Sequence, residues 1–223
     1  SMDKVAQLAS YAAGKQVGIW VWVRWSDVNN PANDWESMRS FFSSLAKTGI
    51  KGIKIDFMDS ASRERLAFYD AVAENLAKNK LMVNFHGANT PTGEERSWPH
   101  EMSREGIYGG EQNIWAAIGG RHYCALPFTR LVSGHADFTG GYFGHGPKLR
   151  GSSWPLQMAA NIIYTSPVLH WVSNPADMEA AFPKGSPERE AVRNIPSVWD
   201  ETIVMPPSAI GECAAFARRS GDQ

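Results

Sequence analysis

Three short apolar runs, separated by two stretches of helical period, occupy the first 85 residues and limit the folds open to this chain. Residues 17–23 (VGIWVWV), 51–57 (KGIKIDF) and 81–85 (LMVNF) are rich in β-branched, aromatic and other apolar side chains. Runs of this length and composition read as buried strands. Between the first two, Asn33 or Asp34 can cap a helix running to about Lys47, and Gly49 fits its stop. Between the second and third, Ser60 can cap a helix running to about Lys80, with Leu66, Tyr69, Val72, Ala73 and Leu76 at helical spacing. Strand–helix alternation at this spacing is the signature of parallel βαβ units, because parallel neighbours need a crossover.

Beyond Gly87 the pattern loosens. Residues 87–104 read as a long loop rich in Pro, Gly, Thr and charge, and long loops in compact domains are commonly functional. A strand is expected near 107–110, weaker elements at 125–132, a Gly-rich loop at 134–151, a helix at 155–164 and a strand at 168–172. A helix at 187–195 and a strand at 211–218 follow. The expected class is α/β, a partial (β/α)8 TIM-type barrel with about six of its eight βα units. Residues 1–203 are assigned to the barrel and 204–223 to the start of a C-terminal β domain. Ser1-Met2 reads as a tag remnant, and the chain is expected to be part of a longer polypeptide.

With 223 residues, 43% of them hydrophobic, the chain can bury a sizeable core. Its net charge of −1 gives no electrostatic reason to expect nucleic acid or an anionic membrane as partner. No apolar run approaches the roughly 20 residues needed to span a bilayer. Cys124 and Cys213 have neither metal-ligand spacing nor the number for a disulfide framework. The nine tryptophans fit either an aromatic core or a cleft where sugar faces stack on rings.

Side chains alternate along a strand. Ile53, Ile55 and Phe57 therefore share one face, which suits packing under helices, and Lys54 and Asp56 share the other. Barrel enzymes place catalytic groups at strand C-terminal ends, where Asp56 lies. It serves there either in catalysis or as a cap of the next turn, with Lys54 as its ion-pair partner. Asn84 and His86 repeat the arrangement on the following strand, and Trp22 lies on the first. Lys54, Asn84, His86 and Trp22 are accordingly the candidates for contacting a sugar. Glu105 and Glu111 frame the next expected strand; they supply either site carboxylates or solvated surface charge. Two carboxylates facing a glycosidic bond are the minimum for glycoside hydrolysis, and a close carboxylate cluster also suits a hard cation.

At these residues the chain resembles glycoside hydrolase family 97, a family of α-glucosidases and α-galactosidases. The resemblance is carried by residues 52–59 (GIKIDFMD), 81–88 (LMVNFHGA), Pro91-Thr92-Gly93 with Arg96, 104–111 (REGIYGGE), 126–130 (LPFTR) and 197–201 (SVWDE). It implies a (β/α)8 barrel between an N-terminal β-sandwich and a C-terminal β domain, and a periplasmic or secreted enzyme of polysaccharide-degrading bacteria. It implies that Asp56 is the nucleophile and Glu111 the general acid/base of the retaining branch. In the inverting branch the Asp is absent and a Glu follows the His, a position held here by Gly87. It also implies Ca²⁺, with Glu105 and Glu111 matching two ligand positions. A further ligand comes from a region outside this stretch, so the ion is expected of the complete enzyme.

The expected function is a retaining α-galactosidase acting on α-linked oligosaccharides. A retaining α-glucosidase of the same family, or a non-catalytic stretch that binds sugar weakly, are the alternatives. An open barrel edge at residues 17–23 would favour self-association.

Overall fold

The computed structural model describes residues 1–141 and 149–221. It divides into two compact units, Ser1–Gly106 and Ile107–Gln223.

The first unit holds α1 (Met2–Ala13), β1 (Trp20–Arg24), α2 (Trp25–Val28), α3 (Ala32–Ala46), β2 (Gly52–Asp56), α4 (Arg63–Lys78), β3 (Met82–Phe85), α5 (Glu94–Ser97) and β4 (Glu101–Arg104). The four strands form one sheet in chain order, every pair parallel. Trp22 pairs with Lys54, Lys54 with Asn84, and Arg24 with Asp56. Ile53, Ile55, Val83 and Phe85 have no exposed surface and pack with Met38 and Phe42 of α3 and Phe68, Val72 and Leu76 of α4. Burying each such side chain contributes roughly 1.5–3 kcal/mol. The unequal faces of β2 follow: Ile53 and Ile55 are buried, whereas Lys54 and Asp56 are only partly so. Gly52 cannot carry a side chain, because an added Cβ would lie 2.5 Å from the Trp20 indole.

The helix ends differ in detail from the sequence reading. Ser62, not Ser60, caps α4 by accepting the Arg65 amide, while Ser60 accepts the amide of Ser62. Asn33, Asp34 and Trp35, at the start of α3, have left-handed backbone, and Arg39 ties them down through Asp34 and the Asn33 carbonyl. Residues 87–104 are not one loop. Their last four form β4, hidden from pattern reading because Glu101 and Arg104 are buried charges that satisfy each other.

The second unit contains a 3-10 turn (Gly110–Ile114), α6 (Gly120–Ala125), 3-10 turns at Leu126–Phe128 and Arg130–Ser133, α7 (Trp154–Ile163), α8 (Pro175–Ala181), α9 (Pro187–Arg193) and an antiparallel hairpin of β5 (Glu201–Val204) and β6 (Phe216–Arg219). Ser153, Asn174 and Ser186 cap α7, α8 and α9, and a proline stands in the first turn of each, where its missing N–H costs no hydrogen bond. Ile118, Tyr123, Leu126, Phe138, Ala160 and Tyr164 form its principal core. The strands expected near 107–110 and 168–172 are absent among the described residues, apart from one bridge between Gly140 and Trp171. The stretch 125–132 forms 3-10 turns around Pro127, which cannot donate to a ladder. Four parallel strands are therefore present among the described residues, rather than about six. The expected loop at 134–151 lies partly outside the described residues. No helix among them is long and apolar enough to cross a membrane.

Candidate active site

The parallel register of the first unit brings the C-terminal ends of β2, β3 and β4 side by side. The Ile55 carbonyl accepts the His86 amide at 2.8 Å, and the Phe85 carbonyl accepts the Glu105 amide at 2.8 Å. Three side chains that are remote in sequence thereby converge. His86 Nδ1 lies 3.5 Å from Asp56 Oδ1 and 3.4 Å from Glu105 Oε2.

Asp56 is held at both oxygens. Trp22 Nε1 donates to Oδ2 at 2.8 Å from the neighbouring strand, and the Phe57 amide donates to Oδ1 at 2.7 Å. Burial by itself would raise its pKa, but the bonds from His86 and Trp22, the charge of His86 and the Phe57 amide outweigh it. The net result is a pKa lowered to about 2, so Asp56 is an anion at any physiological pH. Its side chain keeps 13% of its surface accessible.

The backbone after each strand end is bent to make this possible. Phe57, Asp59, Gly87 and Gly106 have φ of 63°, 45°, 56° and 46°. For Phe57 and Asp59 that conformation costs roughly 1–2 kcal/mol each. The turns are locked to one another: the Gly87 amide donates to Glu105 Oε2 at 2.5 Å, and the Asp59 amide donates to the Gly87 carbonyl at 2.6 Å. A Cβ on Gly87 would meet Asp59 Oδ1 at 2.8 Å and the Phe57 backbone at 3.1 Å. A glutamate at position 87 would therefore be strained in φ and crowded against Asp59 and the Phe57 backbone.

The remaining candidates of this unit fall in the same layers. Trp22 is 48% exposed and meets Phe57 edge to face at 5.8 Å. Lys54 stands in register between Trp22 and Asn84, one pleat before Asp56. Asn84 has no exposed surface and donates to the Ser103 carbonyl at 3.3 Å, so it supports the layer beneath the carboxylate.

Arg104 stands in the sequence only as part of a motif, with no signal there of its structural role. It is 1% exposed, grips Glu101 through Nε and Nη2 at 2.7 and 3.0 Å, and reaches Asn89 and Glu94 through Nη1. Its guanidinium lies over Tyr69 at 4.3 Å. Burial opposes the charge, but the bonds and charge of Glu101 prevail and raise the Arg104 pKa. Burial raises the pKa of Glu101 despite Arg104. Arg104 thus anchors the strand from which Glu105 emerges.

Glu111 belongs to the second unit, on the 3-10 turn Gly110–Ile114. That turn is clamped. The Gly110 amide donates to the Phe138 carbonyl at 2.6 Å, and Arg150 donates to the carbonyls of Asn113 and Ile114. Buried Asn113 accepts the Ile118 amide and donates to Tyr123. Any Cβ at Gly109 or Gly110 would meet backbone at 2.6–2.8 Å, which accounts for the paired glycines before Glu111.

An ionised aspartate at the C-terminal end of a parallel strand, with an imidazole and a second carboxylate from the next two, defines an α/β protein of the (β/α)-barrel class with its site on the strand ends. The comparisons with known proteins agree. The family model described as Glycoside hydrolase 97 matches residues 2–107. The chain is 34% identical over 217 residues to the "Probable retaining alpha-galactosidase" of Streptomyces bingchenggensis, covering 97% of this chain and 32% of that one. It is 33% identical over 232 residues to the "Retaining alpha-galactosidase" of Bacteroides thetaiotaomicron, covering 97% and 33%. The chain thus spans about a third of the length of these relatives. Its fold matches a crystal structure of a beta-arabinopyranosidase with a TM-score of 0.84 at 24% identity, covering 99% of this chain and 37% of that one. It also matches a family 97 enzyme of Pseudoalteromonas sp. strain K8, solved in complex with acarbose, with a TM-score of 0.82 at 22% identity, covering 98% and 36%. The chain is thus similar to glycoside hydrolase family 97 over residues 2–107 and to the two galactosidases over 97% of its length.

Proposed function

We propose that this chain carries the catalytic barrel portion of a retaining α-galactosidase that cleaves α-linked oligosaccharides by double displacement. The observation that carries the reading is Asp56: anionic, fixed at both oxygens and open at a strand end. A nucleophile must be ionised and aimed before substrate arrives. Asp56 attacks the anomeric carbon while Glu111 protonates the leaving oxygen. Glu111 then takes a proton from water, whose oxygen displaces the sugar from Asp56. Trp22, Lys54 and His86 are the groups assigned to the sugar, with Asn84 supporting them from below. The strain and crowding that a side chain would meet at Gly87 support retention over inversion. The names of the two curated relatives favour galactoside over glucoside.

Calcium is proposed for the complete enzyme, with Glu105 and Glu111 among its ligands. Carboxylate oxygens fit a hard cation in kind, but two residues fall short of its usual six to eight ligands. Export to the periplasm or beyond is proposed with the same family reading. Among the described residues no strand pairs with the outer side of β1, which supports self-association through that edge; light scattering across a dilution series tests it.

The test of function is kinetic, with aryl α-galactosides, α-glucosides and β-arabinopyranosides compared on the same protein. Asp56→Ala should lose about 10⁴-fold or more in turnover, with partial rescue by azide as a β-glycosyl azide. Glu111→Gln should slow poor leaving groups far more than activated aryl ones. Near-normal turnover by Asp56→Ala, or α-galactoside hydrolysis with inversion, would overturn the assignment.

A further inference from the structure

Alternation along β2 places Phe57 beneath the helices with Ile53 and Ile55. The structure breaks that order at a single residue. Phe57 takes left-handed backbone, with φ of 63°, and is 50% exposed. The buried place goes instead to Met58, which is 1% exposed and joins Ile53, Ile55 and Phe85 in the core. Asp56 and Phe57, neighbours in the chain, therefore leave the core side together.

The Phe57 ring lies against the groups that hold the carboxylate. Trp22, whose Nε1 donates to Asp56 Oδ2, meets it edge to face at 5.8 Å. The Arg24 guanidinium stands 6.0 Å from its centre. The Phe57 amide donates to Asp56 Oδ1. A bulky residue in left-handed backbone is strained, and strain of this kind clusters at active sites and ligand clamps. Here the strain turns an apolar ring towards solvent, the opposite of what burial favours. A ligand that covers the ring recovers that burial. Sugars are suited to it, because their C–H groups form apolar patches between the hydroxyls. Sites for such ligands combine aromatic walls with a few fixed polar groups, and Asp56 and Arg24 supply polar groups beside this ring.

We propose that Phe57 is a substrate-contacting residue whose ring, with that of Trp22, forms the wall against which the C–H surface of the sugar held at Asp56 packs. This deepens, and rests on, the reading of Asp56 as the residue that meets the sugar. All the residues involved belong to the first unit.

The test is calorimetric titration with galactose and glucose, together with steady-state kinetics on the matching aryl α-glycosides, for wild type, Phe57→Asn, Phe57→Gly and Phe57→Tyr. Asn and Gly accept left-handed backbone and remove the ring, whereas Tyr keeps it. Both ringless variants should bind the preferred sugar about tenfold more weakly and raise KM by a similar factor. Their kcat should change little, because a wall serves ground state and transition state alike. Phe57→Tyr should retain the wild-type values, and the melting temperatures should stay close to that of the wild type. The proposal is overturned if neither sugar binds saturably to the wild type, or if the ringless variants bind as the wild type does. It is also overturned if kcat falls while KM and sugar affinity hold, which would leave Phe57 only as a backbone donor to Asp56. Asp56→Ala, assayed alongside, separates the two assignments: normal turnover by it removes the nucleophile reading, while the sugar titrations still decide Phe57.

Discussion

The two units of this chain solve the same problem, holding a carboxylate still, by different means. In the first, a parallel ladder aligns three strand ends, and Asp56 inherits its position from the register of β1, β2 and β3. In the second, Glu111 sits on a short turn with no ladder beneath it among the described residues. Side chains fix that turn and its surroundings: Asn113, Arg150 and Gln157 bond to backbone, and Tyr123 and Tyr164 complete the set. A ladder spreads its cost over many backbone bonds, whereas a side-chain network concentrates it in a few residues that must all be satisfied.

The largest effect is expected where the first unit departs from its own rule and relies on a buried ion pair. Arg104→Met strands Glu101 in the core and should destabilise the protein by about 3–5 kcal/mol in denaturant unfolding. Adding Glu101→Leu should recover most of that loss, because the pair is worth little against apolar replacements. If the double variant is no better than the single one, the anchoring of β4 lies elsewhere.

A side chain at the locked turn is expected to come next. Gly87→Glu forces a left-handed glutamate against the Phe57 backbone and should cost about 2–5 kcal/mol, combining backbone strain with overpacking. Unchanged stability with a switch to inverted product would show that the turn is more plastic than its geometry states.

The second unit should respond most sharply at Gln157. It is fully buried, accepts the Gly141 amide at 3.1 Å, and donates to Tyr123 at 3.1 Å and Ser152 at 3.0 Å. Gln157→Leu leaves these groups unpaired and should cost about 1–3 kcal/mol. A neutral result would remove the contrast drawn between the units.

The smallest effect concerns acid stability. Asp56 has a folded pKa of about 2 against an ordinary 3.8. A depressed carboxylate stabilises the folded state fully above its unfolded pKa and loses that contribution as pH falls through its folded one. The stability gap between wild type and Asp56→Asn should therefore be constant above about pH 4 and narrow towards pH 2. After allowance for solvent screening the change is about 1 kcal/mol. A gap that stays flat across this window would mean that the carboxylate gains nothing from Trp22 and His86.

Pattern reading succeeded where burial is governed by periodicity. The strands β1, β2 and β3 and the helices between them were visible because an apolar face repeats every second residue or every helical turn. Those same strands place Asp56 and His86 at neighbouring strand ends and Trp22 one pleat below them, so this part of the candidate site follows from the alternation. β4 was missed because Glu101 and Arg104 look like solvent residues until their partners are known. The outward turn of Phe57 was hidden as well, because alternation alone places it beneath the helices.

The sequence by itself determined the βαβ class, the strand-end position of Asp56 and the family resemblance, since each rests on local period or contiguous motif. Only the tertiary structure decided that Asp56 is held at both oxygens and kept anionic, because Trp22 and His86 come from strands 34 and 30 residues away in the chain. It alone shows why glycine is favoured at position 87, since an added Cβ would lie 3.1 Å from the Phe57 backbone on a neighbouring turn. Contacts between residues remote in the chain leave no periodic trace along it, so these features appear only once the strands lie side by side.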